Sequence, residues 1–205
     1  MARGKTPVFI NCPFDGAYLP FFHAIVFAVY RCGFTPRCAL EVIDGGGTRI
    51  AKIETLIEEC PLGIHDISRT ELDGVNKLPR FNMPLELGLF LGAKRYGDTV
   101  QKRKKCLVLD CERYRYQKFI SDIAGQDIDS HEGKVEILID KVRSFLNSAV
   151  RSRPLLSGAA IRDDYQRFNE ALPEICSRLR IDADSLDYRD FAWIAADYVS
   201  KDGKL

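Results

Sequence analysis

The chain contains no apolar run approaching the roughly 18–20 residues that a membrane helix needs; its longest candidate is the short stretch from Ala24 to Tyr30. Charge of one sign is also missing. Thirty basic and 29 acidic residues leave a formal net charge of +1, so nothing global draws the chain to nucleic acid or an anionic membrane. The seven cysteines are odd in number and include no C-x-x-C pair. That argues against a disulfide framework and a zinc site, and for cysteines that serve as small core hydrophobes in a reducing compartment. Three scattered histidines, none in H-E-x-x-H, argue against a catalytic metal, and no G-x-S-x-G marks a hydrolase elbow. Two basic residues near Met1 are followed by no apolar leader, so a cytoplasmic location is expected.

What remains is a regular alternation. Val8–Asn11, Phe34–Leu40, Leu62–Ile67 and Cys106–Asp110 read as short strands. Between them lie helical patterns from Leu19 to Cys32, from Thr48 to Glu59 and from Asn82 to Tyr96. Gly33 and Gly97 close two of these helices, and Thr48 is a candidate cap for the third. Helical patterns dominate afterwards, at 114–124, 134–149, 160–179 and 188–199. Strand–helix alternation predicts a flavodoxin-like three-layer α/β sandwich around a parallel sheet of four or five strands. Residues 1–150 form the expected α/β domain, and 151–205 a helical extension packed on it.

In open α/β sheets, ligands sit beyond the carboxyl ends of the strands. This geometric filter selects Asn11, Pro13, Phe14 and Asp15 after the first strand, Asp66 and Arg69 after the third, and Asn82 and Glu86 at the start of the following helix. Glu86 is the most informative. Leu85, Leu87, Leu89, Phe90 and Leu91 surround it with apolar positions, and a carboxylate there is costly unless it lines a cavity or has partners. Held in a partly dry pocket near a helix start, it suits cleavage of an N-glycosidic bond, in which positive charge builds on the ribosyl carbon. The plainer alternative is a Glu that caps its own helix or pairs with Arg80 or Arg95.

Other features divide in the same way. Gly45-Gly46-Gly47-Thr48-Arg49 offers backbone N–H groups and a guanidinium to a phosphate, but lacks the Lys of a P-loop and reads rather as a surface turn. Asp122, Gln126 and His131 lie in a polar segment after the fourth strand. That segment can fold over the site as a lid with His131 as a proton shuttle, or form a solvated loop. His65 and His23 read as structural. Lys102-Arg103-Lys104-Lys105 reads as a solvated basic loop, so contact with nucleic acid is not expected.

The run Phe9-Ile-Asn-Cys-Pro-Phe14, with a third strand ending Asp66-Ile-Ser and then Asn82-Met-Pro-Leu-Glu86-Leu-Gly88 opening a helix that contains Gly92-Ala93, resembles the nucleoside 2-deoxyribosyltransferases and the related TIR-type NAD-cleaving domains. The resemblance covers roughly residues 7–110 and departs from both families in the glycine triplet and beyond Asp110. It implies that Glu86 is the catalytic carboxylate and that Asn11, Phe14, Asp15 and Asp66 lie near the ligand. It also implies that NAD or a related nucleotide is substrate, with no cofactor required, and by analogy a role in bacterial antiviral defence. A deoxyribosyltransferase of nucleotide salvage is the second reading. A non-catalytic module that senses nucleotide, or assembles into a homo-oligomer through a TIR-like surface, is the third.

Overall fold

The computed structural model describes residues 5–41, 44–70, 72, 77, 80–150 and 154–202. Five parallel strands form one sheet: β1 (Pro7–Asn11), β2 (Thr35–Arg37), β3 (Leu62–Asp66), β4 (Lys105–Asp110) and β5 (Ile128–Ser130). Their order is β2-β1-β3-β4-β5, the flavodoxin-like arrangement in which the winding reverses between β1 and β3. Register is direct, with Ile10 beside Ile64 and Asn11 beside His65. Among the described residues, no helix is long and apolar enough to cross a membrane.

Strands buried on both faces carry apolar residues on both. Val8, Ile10 and Ile64 pack on one face with α1 (Leu19–Arg31) and α4 (Val135–Ala149). Phe9 points to the other, against α2 (Arg49–Glu59) and Phe90 of α3 (Asn82–Tyr96). The two-residue period of a strand therefore fixes which helices each side chain meets. A second helical layer, α5 (Gly158–Leu179) and α6 (Tyr188–Asp202), covers α1 and shares its apolar cluster through Phe168, Phe191 and Ile194.

Helix ends follow local chemistry. Phe34 N–H donates to the Val29 carbonyl and Gly33 N–H to that of Tyr30, a Schellman closure that requires the positive φ of 85° at Gly33. Thr48 caps α2 by accepting from the Ala51 N–H. Lys104 is not solvated: it is 2% exposed and its ammonium donates to the Ile57 and Cys60 carbonyls, neutralising the end of α2. The cysteines at 12, 32, 38, 60 and 176 are buried, those at 106 and 111 partly so, and all seven are free thiols.

β2 spans only Thr35–Arg37 against the expected 34–40, and two later segments also differ from the sequence expectation. The pattern at 114–124 forms only two 3-10 turns, Arg115–Lys118 and Ser121–Ile123. Tyr114 adopts a left-handed φ of 61°, and Arg115 is drawn inward to Asp110, which interrupts a continuous helix. The expected lid is replaced in part by β5, paired with β4 from Val108–Ile128 to Asp110–Ser130. Parts of the loops at 68–80 and 151–157 lie outside the described residues.

Gly63 shows how tightly the α3 face is filled. A methyl group there would lie 2.7 Å from His65 Nε2 and 2.9 Å from two ring carbons of Phe90. Both neighbours are fully buried. Gly63→Ala is expected to cost about 1–3 kcal/mol, read as a lower midpoint in urea unfolding with an unchanged slope.

Candidate active site

Glu86 occupies a core position of α3. The buried stripe of that helix is Met83, Glu86, Leu87 and Phe90, a spacing that normally carries only apolar residues. Its carboxyl group is almost out of water, the residue being 5% exposed. No hydrogen bond or ion pair holds it among the described residues. Burial raises its pKa from 4.5 to about 7, and the Arg49 guanidinium pulls the other way. The expectation that Glu86 caps its helix or pairs with Arg80 or Arg95 therefore finds no contact to support it. Arg80 instead lies 3.8 Å from Asp15.

The other strand ends divide between the two faces of the sheet. Asn11 and His65 share the α3 face with Glu86. The Asn11 amide donates to the Met83 carbonyl (2.9 Å) and lies 3.1 Å from His65 Nδ1. It thereby ties β1 to the first turn of α3 and sets the helix that carries Glu86. His65 is fully buried, and burial lowers its pKa to about 3, so the ring is neutral. With Nδ1 accepting from Asn11, its proton is on Nε2, beside Phe90.

Asp66 points to the opposite face, toward α1. It accepts from the Tyr18 hydroxyl at 2.5 Å and from the Ser68 N–H at 2.8 Å. His131 Nε2 is 3.2 Å from Asp66 Oδ2, the oxygen that accepts from Tyr18, but off the line of a hydrogen bond. His131 Nδ1 accepts from the Gly133 N–H at 3.1 Å. Asp66, Tyr18 and His131 are 0%, 3% and 3% exposed, so Asp66 braces the strand ends from within the core. His131 is seated on the sheet edge against Phe21, because β5 delivers it there. Asp122 and Gln126 are exposed and have no part in this network.

Between the two networks lies Cys12. Burial and the negative charges of Asp66, Glu86 and Asp15, together with Cys38, hold its thiol well above the usual range, so it is a neutral filler on which the acids converge. Pro13 is buried, and Phe14 and Asp15 are half-buried beyond it. Asp15 receives the Tyr18 N–H at 3.2 Å and faces Arg69 at 3.4 Å. Asn82 is exposed although it is four residues from Glu86; as the first residue of α3 it faces solvent.

Several contributors carry no obvious sequence signal. Tyr18 has none. Arg115 holds Asp110 at 2.7 Å and donates to Thr70 at 2.9 Å and to the Ser68 carbonyl, clamping the loop after β3 onto β4. The alternation of β3 is the one signal that separates Asp66 from His65. Among the described residues, no group of three His, Cys, Asp or Glu side chains gathers to hold a metal.

The class these features define is an α/β protein of flavodoxin-like topology with a buried carboxylate, unpartnered among the described residues, on the helix that follows the winding reversal of its sheet. No protein-family model, curated protein or solved structure matches the chain.

Proposed function

We propose that the chain cleaves or transfers the N-glycosidic bond of NAD or a related nucleotide, with Glu86 as the catalytic carboxylate. The observation that carries this reading is the Glu86 side chain itself: buried, without a hydrogen-bond or ion-pair partner among the described residues, on a helix whose first turn Asn11 ties to the carboxyl end of β1; open α/β sheets bind ligands beyond those strand ends. An acid so placed costs stability, and a cationic ligand offsets that cost by returning it to the ionised form. In NAD the pyridinium supplies the cation. As the C–N bond breaks, neutral nicotinamide leaves with the bonding electron pair, and the positive charge passes to the ribosyl carbon. Glu86 then faces that charge or bonds to the carbon. Water completes hydrolysis by adding its oxygen to the carbon and losing a proton; a base or alcohol in its place gives transfer. The resemblance of residues 7–110 to ribosyl-cleaving families agrees with this assignment.

Two incubations test it, one with NAD and one with a deoxynucleoside plus a free base, each followed by chromatography. Nicotinamide release that vanishes in Glu86→Gln supports the NAD reading. Base exchange that vanishes in the same variant moves the substrate to a deoxynucleoside. Turnover that persists in the variant, or none in either incubation, overturns the proposal. The active form is the carboxylate, so kcat/KM for NAD is expected to rise with pH through about 7, the Glu86 value, and to fall tenfold per pH unit below it. A flat profile between pH 5.5 and 8.5 would assign the reaction to another group.

A further inference from the structure

A cleft of about 630 Å3 lies beyond the carboxyl ends of β1 and β2, within the size range of small-molecule sites. The α/β core does not form it alone. Its aromatic wall combines Phe14 and Phe22, beside the start of α1, with Tyr188 from the first turn of α6. Ring centroids are 5.1 Å apart for Phe14 and Phe22, and 5.6 Å for Phe22 and Tyr188. The Tyr188 hydroxyl donates to the Pro36 carbonyl at 3.2 Å, which fixes its ring against β2.

The same cleft is lined by Arg49, Lys52 and Arg189. Lys52 is bound to the Asp44 carbonyl. Arg49 and Arg189 have no hydrogen-bond or ion-pair partner among the described residues. The two acids nearby are already engaged by their own backbones: Asp44 accepts from the Gly46 N–H and Asp187 from the Asp190 N–H. Two guanidiniums therefore line the same cleft as an aromatic wall. This combination complements a flat base joined to phosphates, because guanidinium geometry matches phosphate oxygens and aromatic rings accept base stacking.

We infer that this cleft binds the nucleoside diphosphate part of a dinucleotide, with the base against Phe14 and Tyr188 and the phosphates on Arg49 and Arg189. The inference rests on the ribosyl-transfer reading above, and Arg49 connects the two. It lines the cleft, and its charge reaches Glu86. The ligand then runs from the wall built by the helical extension to the acid on α3. The extension contributes Tyr188 and Arg189 to recognition as well as packing on α1.

Calorimetric titration of the full chain with ADP tests this without turnover. Arg49→Ala and Arg189→Ala are each expected to weaken ADP binding tenfold or more, while adenosine binding changes less than twofold. Phe14→Ala is expected to weaken both ligands. ADP binding that neither arginine variant alters overturns the inference, as does displacement of ADP by inorganic phosphate at equal concentration, which would remove the base from the site. The two readings fail separately. Arginine-dependent ADP binding without NAD cleavage leaves the cleft and removes the reaction. NAD cleavage without ADP binding does the reverse.

Discussion

Glu86→Gln is expected to lower NAD turnover at least about a thousandfold and, at the same time, to make the protein more stable at pH 8. The first effect follows if Glu86 is the carboxylate that faces the ribosyl carbon, as proposed above. The second follows from linkage. The carboxyl pKa is about 7 in the folded chain against an ordinary value of 4.5. Below pH 4.5 the group is protonated in both folded and unfolded chains and costs nothing. From there to about pH 7 the unfolded chain ionises first, so the native state loses stability as pH rises, and above 7 the loss levels off. At about 1.4 kcal/mol per pH unit, the full cost is about 3 kcal/mol. Glutamine keeps the shape and never ionises, so it avoids that cost. Thermal unfolding of wild type and variant should coincide at pH 4 and separate by about 5–10 °C at pH 8. A merely structural glutamate gives the opposite result, because removing a charge that holds a partner destabilises the fold. Lower stability of the variant at pH 8 would show that Glu86 holds a partner and is not strained by burial.

The sequence revealed most where a period runs long enough to be read. The bounds of α3 at Asn82 and Tyr96 coincide with the expected ones, because Phe81 and Gly97 flank a continuous apolar helix. The cap at Thr48 and the closure at Gly33 were equally legible, since each depends on one residue's chemistry. β5 was not. Ile128–Ser130 spans three residues, too few for alternation to register, and it is a strand only because β4 offers its free edge. The candidate site was half legible. The filter that ligands gather at strand ends selected Asn11, Asp66 and Glu86, but a list of strand ends does not say which face each occupies. His65 and Asp66 are neighbours in sequence and lie on opposite sides of the sheet, so one helps hold α3 and the other holds Tyr18 and His131. Arg189 shows a different limit. Its part in the cleft depends on α6 packing back over α1, a contact between residues far apart in the chain that no local pattern encodes.

That packing leads to the second large expected effect. Phe168→Ala should destabilise the whole chain by about 3–5 kcal/mol, a large share of the roughly 5–15 kcal/mol typical of a folded domain. Phe168 is fully buried in α5. Its ring stacks on Phe27 of α1 at 5.0 Å and meets Phe191 and Tyr198 of α6 edge-on at 5.8 and 5.1 Å. Close by, the buried Asp164 of α5 binds Arg31 at the end of α1 at 2.5 Å and also engages Arg167. The extension is thus joined to the α/β layer through one continuous core and a charged link, and α1 has no alternative cover for Phe27. If these helices were a separate appendage, the variant would lose an early transition and leave the main one in place. A shared core requires one transition in wild type and one transition in Phe168→Ala, lowered by about 10 °C or more, with the signals of the aromatic cluster and of total helix lost together. Because Tyr188 and Arg189 are positioned by that same packing, partial unfolding of the variant should also abolish ADP binding in step with the loss of helix. Binding that outlasts the helical signal would show that the cleft is formed without α6.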